Sequence, residues 1–178
     1  MKKRVLRDGR EIIIRRAVRS DACKMVEYVS TIGGESDNLT FGLNEFDITA
    51  DKEELIIESM NSKENSLMIV AEVKGEIVSM LSFGGGIRQR TRHVGEFGIS
   101  VKKAFWSLGI GSAMIDYMLE WAKDTHIIRK INLKARIDNK NAIALYRKYG
   151  FREEGVSTRD LYIHEQFYDS LLMGLEID

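Results

Sequence analysis

The sequence predicts one α/β domain, residues 1–178, in which a mixed α+β sheet of about six to seven strands is flanked by about four helices. Three observations lead to this prediction. The chain of 178 residues is long enough for one domain and too short for two large ones. Runs rich in β-branched residues alternate with stretches of helical periodicity. Hairpins and strand–helix–strand crossovers both occur, which mixes antiparallel and parallel pairing.

The predicted strands are short runs in which β-branched and aromatic residues cluster or alternate. A turn at Lys74-Gly75 joins the second and third strands into a hairpin, and Phe97, Ile99 and Val101 alternate along the fourth. The chain has no proline, so glycines and capping residues must mark the ends of these runs. In chain order the strands are expected at about 12–18, 67–71, 77–81, 97–101, 130–136, 151–156 and 167–177.

The predicted helices carry apolar residues on one face and are bounded by capping side chains and glycines. Cys23 falls on the apolar side of the first helix, which predicts a buried thiol. Gly150 suits the left-handed conformation that ends a helix. The start signals are Ser20 or Asp21, Thr49, Gly109, and Asp138 or Asn139, and the end signals are Gly33, Lys123 and Gly150.

Composition excludes several functional classes. Lys plus Arg and Asp plus Glu are both 27, so there is no general basic field for nucleic acid. No apolar run approaches the roughly 18 residues that a membrane span needs. A single cysteine cannot form an internal disulfide, which fits a reducing cytoplasm. His93, His126 and His164 lack the spacing of metal ligands, so no metal is expected.

The segment from Val101 to Ala113 leads from a strand into a helix whose first residues include Gly109 and Gly111. The free amides of a first helical turn and the helix dipole attract an anion, and glycines let it approach the backbone. The segment lacks the lysine of a phosphate loop, and Met114 stands where a dinucleotide fingerprint needs a small residue. Two interpretations remain here: a pyrophosphate site, or glycines that only allow close packing.

The segment Asn139–Phe151 closely resembles the N-x-x-A-x-x-L-Y-x-x-x-G-F signature of GNAT-superfamily acetyltransferases. The preceding glycine turn resembles that family's Q/R-x-x-G-x-G/A motif, with Trp106 at the Gln/Arg position. The two motifs occur in the family's order, with a strand between them. Within the family, Gly95–Val101 and Arg159–Asp169 are most similar to bacterial spermidine and other small-amine N-acetyltransferases.

The resemblance implies a GNAT acyl-CoA N-acyltransferase fold from about Ile13 onward, with acetyl-CoA as cosubstrate. It implies an enzyme that moves an acetyl group to a primary amine of a small molecule by direct attack in a ternary complex. A polyamine-like acceptor is preferred, and acidic residues between 35 and 54 would suit it unless they only form a solvated helix face. The alternatives are a protein N-terminal, amino-acid or antibiotic amine, and a CoA-binding sensor without turnover. A homodimer is permitted.

The resemblance also indicates two catalytic residues. Tyr146 would protonate the departing thiolate, although it could instead be a core aromatic or pack against CoA. Glu96 would act as the general base, although it could instead be a surface strand carboxylate paired with Arg92 or another cation. A base matters because a lysine-like amine titrates about 3.4 units above pH 7, so its neutral form costs about 4.6 kcal/mol.

The remaining implied site residues hold the carrier. The backbones of Ile99 and Val101 would pair with pantetheine like an added strand. Asn139 would contact the CoA chain, act as a helix cap, or do both. With Trp106 in place of Gln or Arg, backbone amides are expected to do most of the pyrophosphate binding. These amides lie near Leu108, Gly109, Ile110, Gly111 and Ser112.

Overall fold

The computed structural model describes residues 1–178 and contains one eight-stranded sheet and four α-helices. The four predicted helices are confirmed. The helices are α1 Ala22–Ile32, α2 Ala50–Asn61, α3 Ile110–Asp124 and α4 Lys140–Lys148. The strands are β1 Lys2–Val5, β2 Glu11–Arg16, β3 Ser66–Val73, β4 Glu76–Gly85, β5 Val94–Val101, β6 Lys130–Arg136, β7 Arg152–Ile163 and β8 Gln166–Glu176.

The strands lie in the order β1-β2-β3-β4-β5-β6-β8-β7, and every neighbouring pair is antiparallel except β5 and β6. The prediction of six to seven strands is therefore wrong, because the sheet has eight. The additional strand, β1, is short and basic and shows no apolar alternation. It is defined by its ladder with β2 and by ion pairs from Lys2 to Glu120 and from Arg4 to Asp116. Charged edge strands of this kind discourage further pairing.

Of the three helix starts at which the sequence predicts a capping side chain, two have one. Thr49 accepts a hydrogen bond from the Lys52 N–H at 3.4 Å, and Asn139 accepts one from the Ala142 N–H at 3.2 Å. Asp21 precedes α1 but does not cap it, because its carboxylate bonds to Arg15. Cys23 is exposed, so the predicted burial of its thiol is wrong.

Two apolar cores lie on opposite faces of the sheet. The larger core joins the sheet to α3 and contains Phe83, Met114 and Met118. The smaller core joins β3 and β4 to α1 and α2 and contains Tyr28 and Ile57. None of the four helices has both the length and the apolar character needed to span a membrane.

The sheet divides where β5 and β6 meet. Their parallel pairing covers only Val94–Glu96 and Lys130–Asn132. The ladder between β4 and β5 continues to Val101, and the ladder between β6 and β8 continues to Arg136. Beyond Glu96 and Asn132 the two strands therefore separate, and the edge of β5 that faces β6 carries no partner strand.

Candidate active site

The separated edge of β5 presents the backbone of Ile99 and Val101. The Lys102 N–H donates to the Val78 carbonyl at 2.9 Å, which shows that Lys102 turns its amide toward β4. Because amide directions alternate along a strand, Ile99 and Val101 turn theirs away from β4 and into the gap. An extended chain placed there could pair with them as a further strand.

Trp106 lies beside this edge and is 45% exposed. Its indole Nε1 donates to the Val101 carbonyl at 2.7 Å. The indole therefore occupies one acceptor of the open edge and cannot replace a Gln or Arg that reaches for a phosphate. The structure thus explains the departure from the family motif by a different use of this side chain.

The turn before α3 presents unpaired amides. No backbone N–H from Ser107 to Ser112 donates to a protein acceptor, and α3 begins at Ile110. Gly109 adopts φ +95°, and a Cβ built on it would meet no atom within 4 Å. These amides and the positive end of the α3 dipole form an anion site beside open space.

The predicted carrier residues Leu108, Gly109, Ile110, Gly111 and Ser112 all fall within this turn. The packing interpretation of the glycines also applies to one of them. A Cβ on Gly111 would lie 3.3 Å from the Leu145 side chain, so Gly111 allows α3 to approach α4 closely. Glycine is therefore needed at the two positions for different reasons: Gly109 permits a left-handed turn, and Gly111 permits close packing.

Tyr146 lies on the face of α4 that packs against the sheet. It is 7% exposed, and its ring makes edge-on contacts with Phe97 and Phe151 at centroid distances of 5.8 and 5.9 Å. Burial raises the pKa of Tyr146 to about 12, and its hydroxyl makes no hydrogen bond within the protein. The aromatic contacts hold the ring, while the phenol keeps its proton at neutral pH.

Glu96 is the last residue of β5 that pairs with β6, and it is exposed. The predicted alternative pairing with Arg92 is wrong, because Arg92 bonds to Glu64 at 3.3 Å and Glu96 forms no ion pair. Since Phe97 points toward Tyr146, the neighbouring Glu96 points to the opposite face of the sheet. The two predicted catalytic residues therefore lie on opposite faces, on either side of the gap.

The surface around Glu96 is open. Gly84 is its cross-strand partner on β4, and Gly98 is two residues farther along β5 on the same face. A Cβ on either glycine would meet no atom within 4 Å. A hydrogen bond of 2.9 Å between Tyr28 Oη and Ser100 Oγ closes one end of this surface. A small molecule could therefore approach the carboxylate of Glu96 from this face.

A cavity of about 400 Å³ is lined by residues that include Trp106, Arg136 and Asn139. Asn139 uses its Oδ1 to cap α4, which leaves its amide nitrogen without a protein acceptor. Both predicted uses of Asn139 are therefore compatible. Arg136 was not singled out from the sequence. It bonds to the carboxylate of Asp138 at 2.9 Å and to the carbonyl of Asp37 at 2.9 Å, and so joins β6 to the loop after α1.

Three of the acidic residues between 35 and 54 bond to other groups within the protein, and a fourth is buried. Glu35 accepts the Lys103 N–H at 2.6 Å, and Glu45 accepts the Gly42 N–H at 2.8 Å. Glu54 pairs with Arg19, and Glu53 is 5% exposed, where burial raises the pKa of its carboxyl. These contacts do not favour the interpretation of the segment as a polycation site. No group of three or more His, Cys, Asp or Glu side chains is placed to hold a metal ion.

Comparison with known proteins connects this geometry to a family. The sequence pattern of the acetyltransferase (GNAT) family matches residues 36–151. The chain is 31% identical over 106 residues to the L-amino acid N-acetyltransferase AaaT of Escherichia coli, which covers 60% of this chain and 65% of that protein. It is 36% identical over 55 residues to an N-alpha-acetyltransferase of Sulfolobus acidocaldarius, covering 31% and 33%. The chain thus spans less than two thirds of either relative's length.

Solved structures agree over nearly the whole chain. An acetyltransferase of the GNAT family from Streptococcus pneumoniae has a TM-score of 0.91 and 30% identity, covering 94% of this chain and 99% of that one. A putative acetyltransferase from Salmonella typhimurium, solved with acetyl-CoA, has a TM-score of 0.82 and 17% identity, covering 94% of each chain. At that identity the second likeness shows the fold alone.

Proposed function

Because the chain belongs to the acetyltransferase (GNAT) family, we propose that it is an N-acetyltransferase that moves an acetyl group from acetyl-CoA to the primary amine of a small molecule. The observation that carries the proposal is the gap between β5 and β6. It has free amides at the start of α3, a protonated phenol on one face and an unpaired carboxylate on the other.

The residues present fit acetyl-CoA, which when bound supplies an activated thioester. The amides from Ser107 to Ser112 would hold its pyrophosphate, because they are the donors that lack protein acceptors. Ile99 and Val101 would pair with its pantetheine arm along the open edge of β5. Asn139 would donate from the amide nitrogen that the helix cap leaves free.

Glu96 would take a proton from the acceptor ammonium, directly or through water. The neutral nitrogen then forms a bond to the acetyl carbon, and the bond from that carbon to sulfur breaks. The nitrogen loses a second proton to water as the amide forms, and Tyr146 gives one proton to sulfur. Glu96 then returns its proton to water and the Tyr146 phenolate takes one back, so the overall reaction releases one proton. A thiol ordinarily titrates near pH 8.5, so proton transfer from a phenol to a fully formed thiolate is uphill and must accompany bond breaking.

Two classes of acceptor have different support. A polyamine-like acceptor is suggested by the likeness to small-amine acetyltransferases, but Glu35, Glu45 and Glu54 are engaged within the protein. An α-amine of an amino acid or a peptide is favoured by the names of the two relatives. An α-amine also needs less help from a base, since its neutral form costs only about 1 kcal/mol at pH 7.

A thiol-release assay with acetyl-CoA tests the proposal and separates these acceptors. The panel contains spermidine, small L-amino acids, an aminoglycoside and short peptides with free N-termini. At least one amine should release CoA thiol in proportion to acetylated product. Binding of CoA by calorimetry without turnover of any amine would replace the proposal with a CoA-binding sensor module. A homodimer and a cytoplasmic location stay predictions.

A further inference from the structure

Residues 35–37, in the loop after α1, connect the two strands that separate at the gap. Glu35 accepts a hydrogen bond from the Lys103 N–H at 2.6 Å, and Lys103 lies two residues after the end of β5. The Asp37 carbonyl accepts a hydrogen bond from the Arg136 guanidinium at 2.9 Å, and Arg136 is the last residue of β6. This crossing segment therefore closes the gap at the end opposite the one where β5 and β6 pair.

Arg136 is fixed from several sides. Its guanidinium makes two hydrogen bonds with the Asp138 carboxylate, at 2.9 and 2.5 Å, and lies 3.8 Å from the centroid of the Tyr168 ring. Its side chain is 10% exposed. A planar guanidinium with three of its donors bonded and one face stacked has little freedom to move. Arg136 therefore gives the crossing segment a rigid attachment to the sheet.

The cavity of about 400 Å³ lies against the crossing segment. Ser36, Asp37 and Asn38 line one part of it, and Trp106 and Asn139 line another. Trp106 bonds to the open edge of β5, and Asn139 precedes α4, so the cavity lies at the open end of the gap. A pantetheine arm that pairs with β5 and also contacts Asn139 passes through this cavity.

We propose that the crossing segment forms one wall of the site for the pantetheine arm and that Arg136 positions it. This inference rests on the proposed function, through the binding of acetyl-CoA in the gap. A wall that is ordered before the ligand arrives costs less entropy on binding than a mobile loop. Arg136 holds the segment to β6, and the bond between Glu35 and Lys103 holds it next to β5. Arg136 is therefore a positioning residue and not a catalytic one.

CoA and ADP distinguish this role from a general effect on the fold, because ADP carries a diphosphate but lacks the arm. Arg136→Ala should raise the Kd for CoA roughly 10-fold in calorimetry and leave the Kd for ADP unchanged. Glu35→Ala releases the other end of the segment and should have the same effect. Glu35→Gln keeps an acceptor oxygen and should restore most of the affinity. Lys134→Ala removes an ion pair on the same strand as Arg136 and is the matched control, with both Kd values unchanged.

Hydrogen exchange tests the physical cause without any ligand. The Lys103 N–H, whose acceptor is Glu35, should exchange faster in Arg136→Ala than in the wild type or in Lys134→Ala. Exchange that is equally slow in Arg136→Ala and the wild type would overturn the inference, because the segment would then keep its place without Arg136.

The affinities separate a failure of the inference from a failure of the proposed function. An Arg136→Ala variant that binds CoA like the wild type, or that loses affinity for CoA and ADP equally, would overturn the inference and leave the acetyltransferase proposal intact. If CoA binds but no amine in the panel is acetylated, the proposed function fails while the affinities still decide the role of Arg136. A wild-type protein that does not bind CoA would overturn both.

Discussion

Polar groups are paired with one another between β2 and β3 but are left unpaired at the gap between β5 and β6. Between β2 and β3, Arg15 lies between two carboxylates and bonds to Asp21 at 2.6 Å and to Glu72 at 2.7 Å. Asp21 also accepts the Val18 N–H at 2.8 Å. Burial alone would raise the pKa of Asp21, but the hydrogen bonds from Arg15 and Val18 lower it below its ordinary value. Every charge in this cluster has a partner.

At the gap between β5 and β6 the corresponding groups lack partners. Glu96 has no ion pair, Asn132 has an unpaired buried oxygen, and the Tyr146 hydroxyl makes no hydrogen bond. Since unpaired polar groups reduce stability, their concentration in one region is typical of a binding site. The comparison teaches that the cluster around Arg15 pairs all its charges, whereas the gap leaves polar groups unpaired where a ligand can pair with them.

The largest effect is expected at the gap between β5 and β6. Tyr146→Phe removes the proton donor and keeps the aromatic contacts with Phe97 and Phe151. It should lower kcat roughly 10²–10⁴-fold while the Kd for CoA, measured by calorimetry, changes little. An active Tyr146→Phe variant would show that the phenol only packs the core.

In the cluster of Arg15, Asp21 and Glu72 we expect the opposite pattern, a loss of stability without a loss of activity. Asp21→Ala leaves Arg15 with one carboxylate fewer in a half-buried position and should lower the free energy of unfolding by about 3 kcal/mol. Urea denaturation measures this loss, and the KM values of the folded enzyme should not change. Because the folded-state pKa of Asp21 is lowered, its stabilising contribution is present near neutral pH and is lost on acidification. A loss that is constant from pH 7 to pH 3 would contradict this assignment.

Substitutions at Gly109 and Gly75 distinguish an effect on stability from an effect on CoA binding. Gly109 and Gly75 have φ of +95° and +83°, and a Cβ on either would meet no atom within 4 Å. Alanine at either position should therefore cost a similar amount of stability, about 1–2 kcal/mol, from backbone strain alone. Only Gly109→Ala should also weaken CoA binding, because Gly75 lies in the β3–β4 turn, away from the unpaired amides. Equal CoA affinity in the two variants would place the anion site elsewhere.

The smallest effect concerns Glu53, which is buried outside both regions. Burial raises the pKa of its carboxyl in the folded state, so the protein loses stability as pH rises from the ordinary value through the raised one. Glu53→Gln removes this charge and should raise the free energy of unfolding by about 1 kcal/mol at pH 8. The gain should shrink toward pH 4. A variant that is less stable than the wild type at pH 8 would indicate a partner for the charged form.

The sequence predicted much of the fold because its signals are local. Seven of the strands and the four helices follow from periodicity and capping within short windows, as with Thr49 and Asn139. The strand β1 escaped prediction because it is charged and exposed, and only its ladder and ion pairs define it. The prediction that Cys23 is buried was wrong, because the burial of a residue on a helix face depends on which other elements pack against that face.

The sequence by itself determined the helix that opens on glycines, the signature around Tyr146 and the membership in the family, because each is written in consecutive residues. Only the tertiary structure decided that Trp106 bonds to Val101, that an oxygen of Asn132 is buried without a partner, and that Glu35 and Glu45 are engaged. These facts depend on where β5 and β6 stop pairing. Strand register and separation arise from contacts between residues far apart in the chain, which no local pattern encodes.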